Sequence, residues 1–238
     1  MILPFRIQTA IAFARREIGA VMALLALAVA ADLFAAVAGE VREGETGSID
    51  LRVLLALRVP GAPGTPIGPH WLVGAARDVT SLGSIAVLSL IVLIVTGLFL
   101  SLRRPREALV MLLASGGGLA LTNGIKDLFG RARPDAIYRA VEATKSSFPS
   151  GHAMLSATVF LTLGALCAGY VKSGLVKTYI MAVATTLTLM VGVTRIYLGV
   201  HWMTDVLAGW SVGAAWATAC WLGIWVWERR WREPAPLP

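Results

Sequence analysis

The chain has 238 residues, is 57% hydrophobic and only 15% charged, and has a mean hydropathy of +0.73. A soluble domain carries about a quarter charged residues, so an ordinary water-soluble fold is excluded. The formal charge of +7 and a pI near 10.0 do not point to nucleic acid, because the excess basic residues sit in short segments flanking apolar runs.

A membrane span needs about 20 mostly apolar residues. Six segments come near that length: residues 18–39, 83–102, 108–125, 153–171, 178–193 and 206–226. The expected fold is therefore all-α, a polytopic membrane protein of six helices forming a single domain over 1–238.

The first segment follows Arg15 and Arg16, and "AVA" at 28–30 resembles a cleavage site. Its apolar run exceeds the about 7–15 residues of a signal peptide, so a retained anchor is expected. Residues 40–82 form one long non-membrane stretch. Within it "VPGAPGTPIGPH" is predicted to be irregular, because prolines and glycines punctuate it. The flanking "SIDLRVLLALRV" and "HWLVGAARDV" are predicted as short helices lying on the bilayer.

In the third segment, "SGGG" at 115–118 allows close packing. The fifth is short and is expected to extend into "TRIYLGV". In the sixth, Gly209 and Gly213 form a small-residue pair for packing within the bundle or, less favoured, in a dimer. Trp221, Trp225, Trp227 and Trp231 mark an interfacial aromatic belt. Cys167 and Cys220 fall inside spans and read as small packing residues.

Charge then orients the bundle. The two ends and the loops after spans two and four hold Arg6, Arg15, Arg16, Arg103, Arg104, Arg106, Lys172, Lys177, Arg229, Arg230 and Arg232. They hold only four acids, Glu17, Glu107, Glu228 and Glu233, so the whole net charge lies on one side. The positive-inside rule makes that side, and both termini, cytoplasmic and in contact with anionic lipid.

The opposite face is unusual. The loop after span three carries Lys126, Arg131, Arg133 and Pro134 and ends in Pro149-Ser150-Gly151-His152. The loop after span five carries Arg195, His201 and Asp205. Cations gathered on the face where they are disfavoured call for an anionic ligand. Arg133 and Arg195 offer forks matching phosphate oxygens, and Lys126 adds a point charge. Ser150 and Gly151 stand where a helix begins, a ready anion site, although Ser150 also fits a plain N-cap. His201 and Asp205, four apart, share a helix face. A carboxylate on one ring nitrogen leaves the other lone pair for attack, while a capped interfacial histidine reads the same way. With His152 added, the set asks for phosphoryl transfer: one histidine attacks phosphorus and the other protonates the leaving oxygen.

Lys126, six residues, Arg133-Pro134; then Pro149-Ser150-Gly151-His152; then Arg195, five residues, His201, three residues, Asp205: this order resembles the three-part signature of the type 2 phosphatidic acid phosphatase (PAP2) superfamily. The motifs cover residues 126–205. Thr194 departs from the serine usual before the third motif's arginine. The resemblance implies that His201 is the nucleophile forming a phosphohistidine, that Asp205 orients it, and that His152 is the general acid. It implies that Lys126, Arg133, Ser150, Gly151 and Arg195 bind the phosphate. Arg131 lies outside the pattern and is expected to meet a second phosphate or a head group. The resemblance implies neither metal nor other cofactor. The expected substrate is a lipid phosphate or pyrophosphate in the bilayer, such as undecaprenyl pyrophosphate, phosphatidylglycerol phosphate, phosphatidic acid or lipid A 1-phosphate. A bacterial inner-membrane location with the site facing the periplasm is expected. Phosphotransfer to a second lipid, anionic-lipid transport and non-catalytic binding are the alternatives, and both monomer and dimer remain open.

Overall fold

The computed structural model describes residues 5–143 and 146–231, with side chains from residue 17 to residue 227. The terminal side chains expected on the cytoplasmic side, those of Arg6, Arg15, Arg16, Glu228, Arg229, Arg230, Trp231, Arg232 and Glu233, lie outside the described residues.

The described chain folds as α1 (Phe5–Glu43), α2 (Gly47–Ala56), β1 (Arg58–Val59), β2 (Ala62–Pro66), α3 (His70–Ser81), α4 (Ile85–Ser101), α5 (Pro105–Phe129), a 3-10 turn at Ala136–Tyr138, α6 (Gly151–Gly169), α7 (Gly174–Tyr197) and α8 (Met203–Trp231). Five helical stretches are long and apolar enough to cross a membrane: 17–43, 105–129, 151–169, 174–197 and 203–227. The remaining expected span, the second in chain order, is α4, 17 residues long, bent by 46° from α3 across a short break. Local signals set the ends of α4, α5 and α7. Ser84 accepts the N–H of Val87 to start α4, and Ser173 accepts that of Val176 to start α7. Pro105 sits in the first turn of α5, where its missing N–H costs nothing. Gly130, at φ 56°, ends α5 in a left-handed cap.

The bundle is built around α6, which packs against α5, α7 and α8, while α1 lies along α8. Leu88, Val92, Met111, Leu155, Val159, Phe160 and Val191 form the buried centre. Outward-facing positions are equally apolar: Val21, Leu24 and Leu25 on α1, and Leu90, Leu93, Ile94 and Leu98 on α4, are exposed. Surfaces of that kind belong against hydrocarbon. The Gly209–Gly213 pair packs within the bundle. A Cβ on Gly209 would stand 2.7 Å from Ser150 O, and one on Gly213 would strike Met154 O. In the "SGGG" stretch, Gly117 lies under the Trp216 ring and Gly118 against Thr158, whereas Gly116 faces open space.

Two expectations are corrected. The "VPGAPGTPIGPH" stretch is not irregular throughout: β1 and β2 form an antiparallel hairpin pairing Arg58 with Pro66 and Val59 with Ala62. Both strands are edges, so each needs donors on one side only and proline is tolerated. Gly61, at φ 80°, makes the turn. Cys167 is exposed on α6 and does not pack, although both cysteines are unpaired. The two helices expected within 40–82 are present as α2 and α3.

Substituting Gly213→Ala forces α8 away from α6 and should cost about 1–3 kcal/mol, as overpacking does. A lower melting temperature in detergent checks this. Gly116→Ala, with nothing within 4 Å of the new methyl, should leave it unchanged or higher.

Candidate active site

Four helix ends and two loops converge at one end of the bundle. The last turn of α5 delivers Lys126, whose Nζ donates to Ser146 O at 2.7 Å. Gly130 then turns the chain back, and Arg133 reaches across the following loop. Its Nη1 donates to Val200 O at 2.7 Å, and its Nη2 reaches Ser146 O at 3.4 Å.

α6 starts beneath this loop. Ser150 occupies the N-cap position, yet its hydroxyl makes no capping bond. The backbone N–H of Ser150 instead donates to Asp205 O at 2.9 Å, tying the starts of α6 and α8 together. The Ser150 Oγ is fully buried and has no partner among the described residues. Gly151 follows beside Lys126: a Cβ on it would lie 3.7 Å from Lys126 Cε. His152 lies one residue into α6 and feels the charges of Arg195, His201, Arg133 and Lys126 together.

The last turn of α7 supplies Arg195, which is 7% exposed. Its Nη1 donates to Thr80 Oγ1 of α3 at 3.2 Å, while its Nε is buried without a partner among the described residues. The hydroxyl of Thr194, the position that departs from the expected serine, is spent on Val191 O of its own helix. The chain then turns at Gly199, φ 70°, where any Cβ would collide with Tyr138 O and the Arg58 guanidinium. Arg58 holds this turn through Tyr197 O at 3.0 Å and Tyr138 O at 2.8 Å.

His201 is 2% exposed. Arg133 Nη1 lies 3.1 Å from its Nε2. A guanidinium N–H can only donate, so Nε2 carries the lone pair and Nδ1 carries the proton. That proton points at Asp205 Oδ2, 3.3 Å away, with Ser147 Oγ at 3.4 Å. Asp205, in the first turn of α8, also accepts the Trp202 N–H at 2.9 Å and a short hydrogen bond from Ser147 Oγ. Burial pushes the His201 pKa down to about 4 against the opposing pull of Asp205, and the charges of Arg133 and Arg195 push the same way as burial. The ring is therefore neutral at physiological pH, with its free electron pair on Nε2. Burial also lowers the Arg133 pKa from its ordinary value, and the Asp205 charge opposes that shift.

Arg131 departs from its expected contact with a second phosphate or head group. Both of its terminal nitrogens are engaged inside the protein: Nη1 with Asp205 Oδ1 at 2.6 Å and Thr204 Oγ1 at 2.8 Å, Nη2 with Asp50 Oδ2 at 2.7 Å and Thr46 Oγ1 at 2.8 Å. It is 15% exposed, and the two carboxylates it bridges are 1% and 0% exposed. Asp50, Thr204, Ser147 and Arg58 were not singled out in the sequence. Asp50 and Thr204 are separated by 154 positions, and no local pattern announces their pairing. Among the described residues no group of three histidine, cysteine or acidic side chains is placed to hold a metal ion.

The structure thus brings Lys126, Arg133, Ser150, Gly151, His152, Arg195, His201 and Asp205 to one end of the bundle, with Arg131 behind Asp205. A neutral imidazole presents a lone pair among three cations and a helix N-terminus, an arrangement fitted to an oxyanion. The family model described as the PAP2 superfamily matches residues 107–230, and the chain belongs to that superfamily. Phosphatidylglycerophosphatase B of Bacillus subtilis is 35% identical over 145 residues, covering 60% of this chain and 70% of that protein. Lipid A 1-phosphatase of Porphyromonas gingivalis is 34% identical over 132 residues, covering 52% of this chain but 25% of that protein. The crystal structure of a transmembrane PAP2-type phosphatidylglycerolphosphate phosphatase from Bacillus subtilis superposes with a TM-score of 0.77 at 26% identity, over 87% of this chain and 98% of that one. That of Aquifex aeolicus LpxE superposes with a TM-score of 0.52 at 23% identity, over 65% and 88%, a likeness of fold alone.

The His201 ring should stay neutral, in the Nδ1–H form, until the pH falls to about 4. Nitrogen NMR of selectively labelled protein checks this: its signal should titrate well below the ordinary histidine value of about 6.5.

Proposed function

We propose that this chain is a membrane phosphatase that removes a terminal phosphate from a lipid through a phosphohistidine on His201. The observation that carries the reading is the state of His201 and its surroundings. Its Nε2 lone pair faces Arg133, and two buried donors, Ser150 Oγ and Arg195 Nε, have no protein partner among the described residues. Buried donors left unmade cost free energy, and phosphate oxygens satisfy donors of this kind.

The reaction runs in two displacements. His201 Nε2 attacks phosphorus, and the P–O bond to the lipid breaks as the P–N bond forms. His152 gives its proton to the departing lipid oxygen. Lys126, Arg133, Arg195, Ser150 and the Gly151 N–H hold the equatorial oxygens as charge develops on them. Asp205 keeps the Nδ1 proton and balances the positive charge that the phosphorylated ring acquires. Water then gives a proton to His152 and attacks phosphorus, the P–N bond breaks, and inorganic phosphate leaves with His201 restored. No step draws on a metal ion.

The substrate class follows from site and setting. A site at one end of an apolar bundle meets a head group at the water boundary while the tail stays in hydrocarbon. The named relatives act on phosphatidylglycerol phosphate and on the 1-phosphate of lipid A, and phosphatidylglycerol phosphate is the first substrate to test here. The charge distribution supports a site on the outer face of a bacterial inner membrane, with both termini cytoplasmic.

The test is phosphate release in detergent from phosphatidylglycerol phosphate, lipid A 1-phosphate, phosphatidic acid and undecaprenyl pyrophosphate, with chelator present. Wild type should release phosphate from at least one. His201→Ala should abolish release, and His152→Ala should lower it by about 10²–10⁴-fold, the usual worth of a positioned acid. Loss of activity in chelator would overturn the metal-free route. Transfer of phosphate to a second lipid in place of water would overturn the hydrolase reading.

A further inference from the structure

We infer that Asp50, a residue of α2 outside the matched family region, is a positioning residue for the reaction, holding the Arg131–Asp205 pair and the first turn of α8 so that Asp205 presents one oxygen to His201. The inference rests on the phosphohistidine reading above.

Asp50 spends both carboxylate oxygens on the machinery. Its Oδ1 accepts the Thr204 N–H at 3.0 Å, and its Oδ2 accepts the Thr204 hydroxyl at 2.7 Å and Arg131 Nη2 at 2.7 Å. It therefore caps the start of α8 from another element, satisfying an orphan N–H one residue before Asp205. The Thr204 hydroxyl donates to Asp50 and accepts from Arg131 Nη1, closing a ring of bonds. Thr46 accepts from Nη2 and completes the guanidinium's partners on the α2 side.

The consequence falls on Asp205. Its Oδ1 is taken by Arg131, so Oδ2 is the oxygen left for Ser147, the Trp202 N–H and the His201 Nδ1 proton. A carboxylate free to rotate could chelate Arg131 with both oxygens, the fork geometry that guanidinium prefers. Asp50 occupies the other arm of the guanidinium and removes that option. It also shares the cation's charge, which leaves the two carboxylates together with one net negative charge behind the imidazole. That charge stabilises the cationic ring of the phosphohistidine.

This role is separable from scaffolding. The groups facing His201 are Asp205 and Ser147 on Nδ1 and Arg133 on Nε2, with Arg195 and His152 acting at longer range. Asp50→Asn removes one negative charge behind this set but keeps the shape of the side chain. Thr204→Val breaks the ring without changing charge, and Thr204→Ser keeps the hydroxyl.

Steady-state kinetics in detergent on the best lipid substrate, with melting curves for every variant, decide the matter. Asp50→Asn should lower kcat about ten- to a hundredfold, the worth of a hydrogen bond to a charged group, with KM within about twofold. Its acid limb of kcat/KM should move to lower pH, because the ring's protonated form has lost a favourable charge. Thr204→Val should lower kcat without moving that limb, and Thr204→Ser should restore the rate. A folded Asp50→Asn with wild-type kcat and pH profile would overturn the inference. So would a failure of both Asp50→Asn and Thr204→Val to fold, since the network would then be structural only. An inactive wild type sinks the phosphatase reading itself, and a phosphoenzyme trapped elsewhere than His201 sinks its route; neither outcome can be confused with the first two.

Discussion

A carboxylate buried to 0% exposure is the constraint from which this end of the molecule follows. Asp205 cannot remain ionised there unless several donors meet it, because an uncompensated buried charge is among the costliest features a fold can carry. The donors come from distant parts of the chain: Arg131 after α5, Ser147 before α6, and Trp202 and His201 in the turn that leads into α8. Satisfying one charge thereby draws the loop that carries Arg133 and the segment leading into Ser150 and Gly151 against the start of α8. Removing one partner of such a buried pair typically costs about 3–5 kcal/mol, so the arrangement is fixed far more firmly than any exposed ion pair could fix it.

The same gathering sets the reactivity of His201. Burial and two arginines favour the neutral ring, and the contact with Arg133 decides which nitrogen holds the lone pair. Asp205 works in the opposite direction, ready to balance the charge that develops when the ring bonds to phosphorus. The site is thus poised between opposing terms: cations that favour an oxyanion and disfavour a charged imidazole, and a carboxylate that tolerates the charged ring as it forms. Segment 40–82 contributes to this balance from outside the family-matched region. Asp50 ties down α8, Arg58 holds the Gly199 turn, and Thr80 orients Arg195. A segment expected only to hold short helices and an irregular stretch thus frames the catalytic site.

Much of this was legible from residues alone, for identifiable reasons. The spans could be read because a helix that crosses hydrocarbon must be long and apolar, and the signal accumulates over about 20 residues each. Their ends were less legible: α5 continues past residue 125 to Phe129, since a helix runs until a cap stops it, and the cap is Gly130. The hairpin at Arg58–Pro66 was missed because proline and glycine mark both loops and tight edge strands. Arg131 was misread because, in sequence, a cation beside Arg133 looks like a second phosphate ligand. Only the approach of Asp50 from the far side shows that its charge is already spent.

The sequence by itself determined the membrane architecture, the superfamily signature from Lys126 to Asp205, and the gathering of cations on the face opposite the basic ends. These are properties of composition, period and spacing, which are local to the chain. The tertiary structure alone decided the protonated nitrogen of His201, the unpartnered Ser150 hydroxyl and Arg195 Nε, and the Asp50–Arg131–Asp205 bridge. Each depends on contacts between residues many positions apart, and burial, which governs charge and hydrogen bonding alike, exists only once those segments have packed.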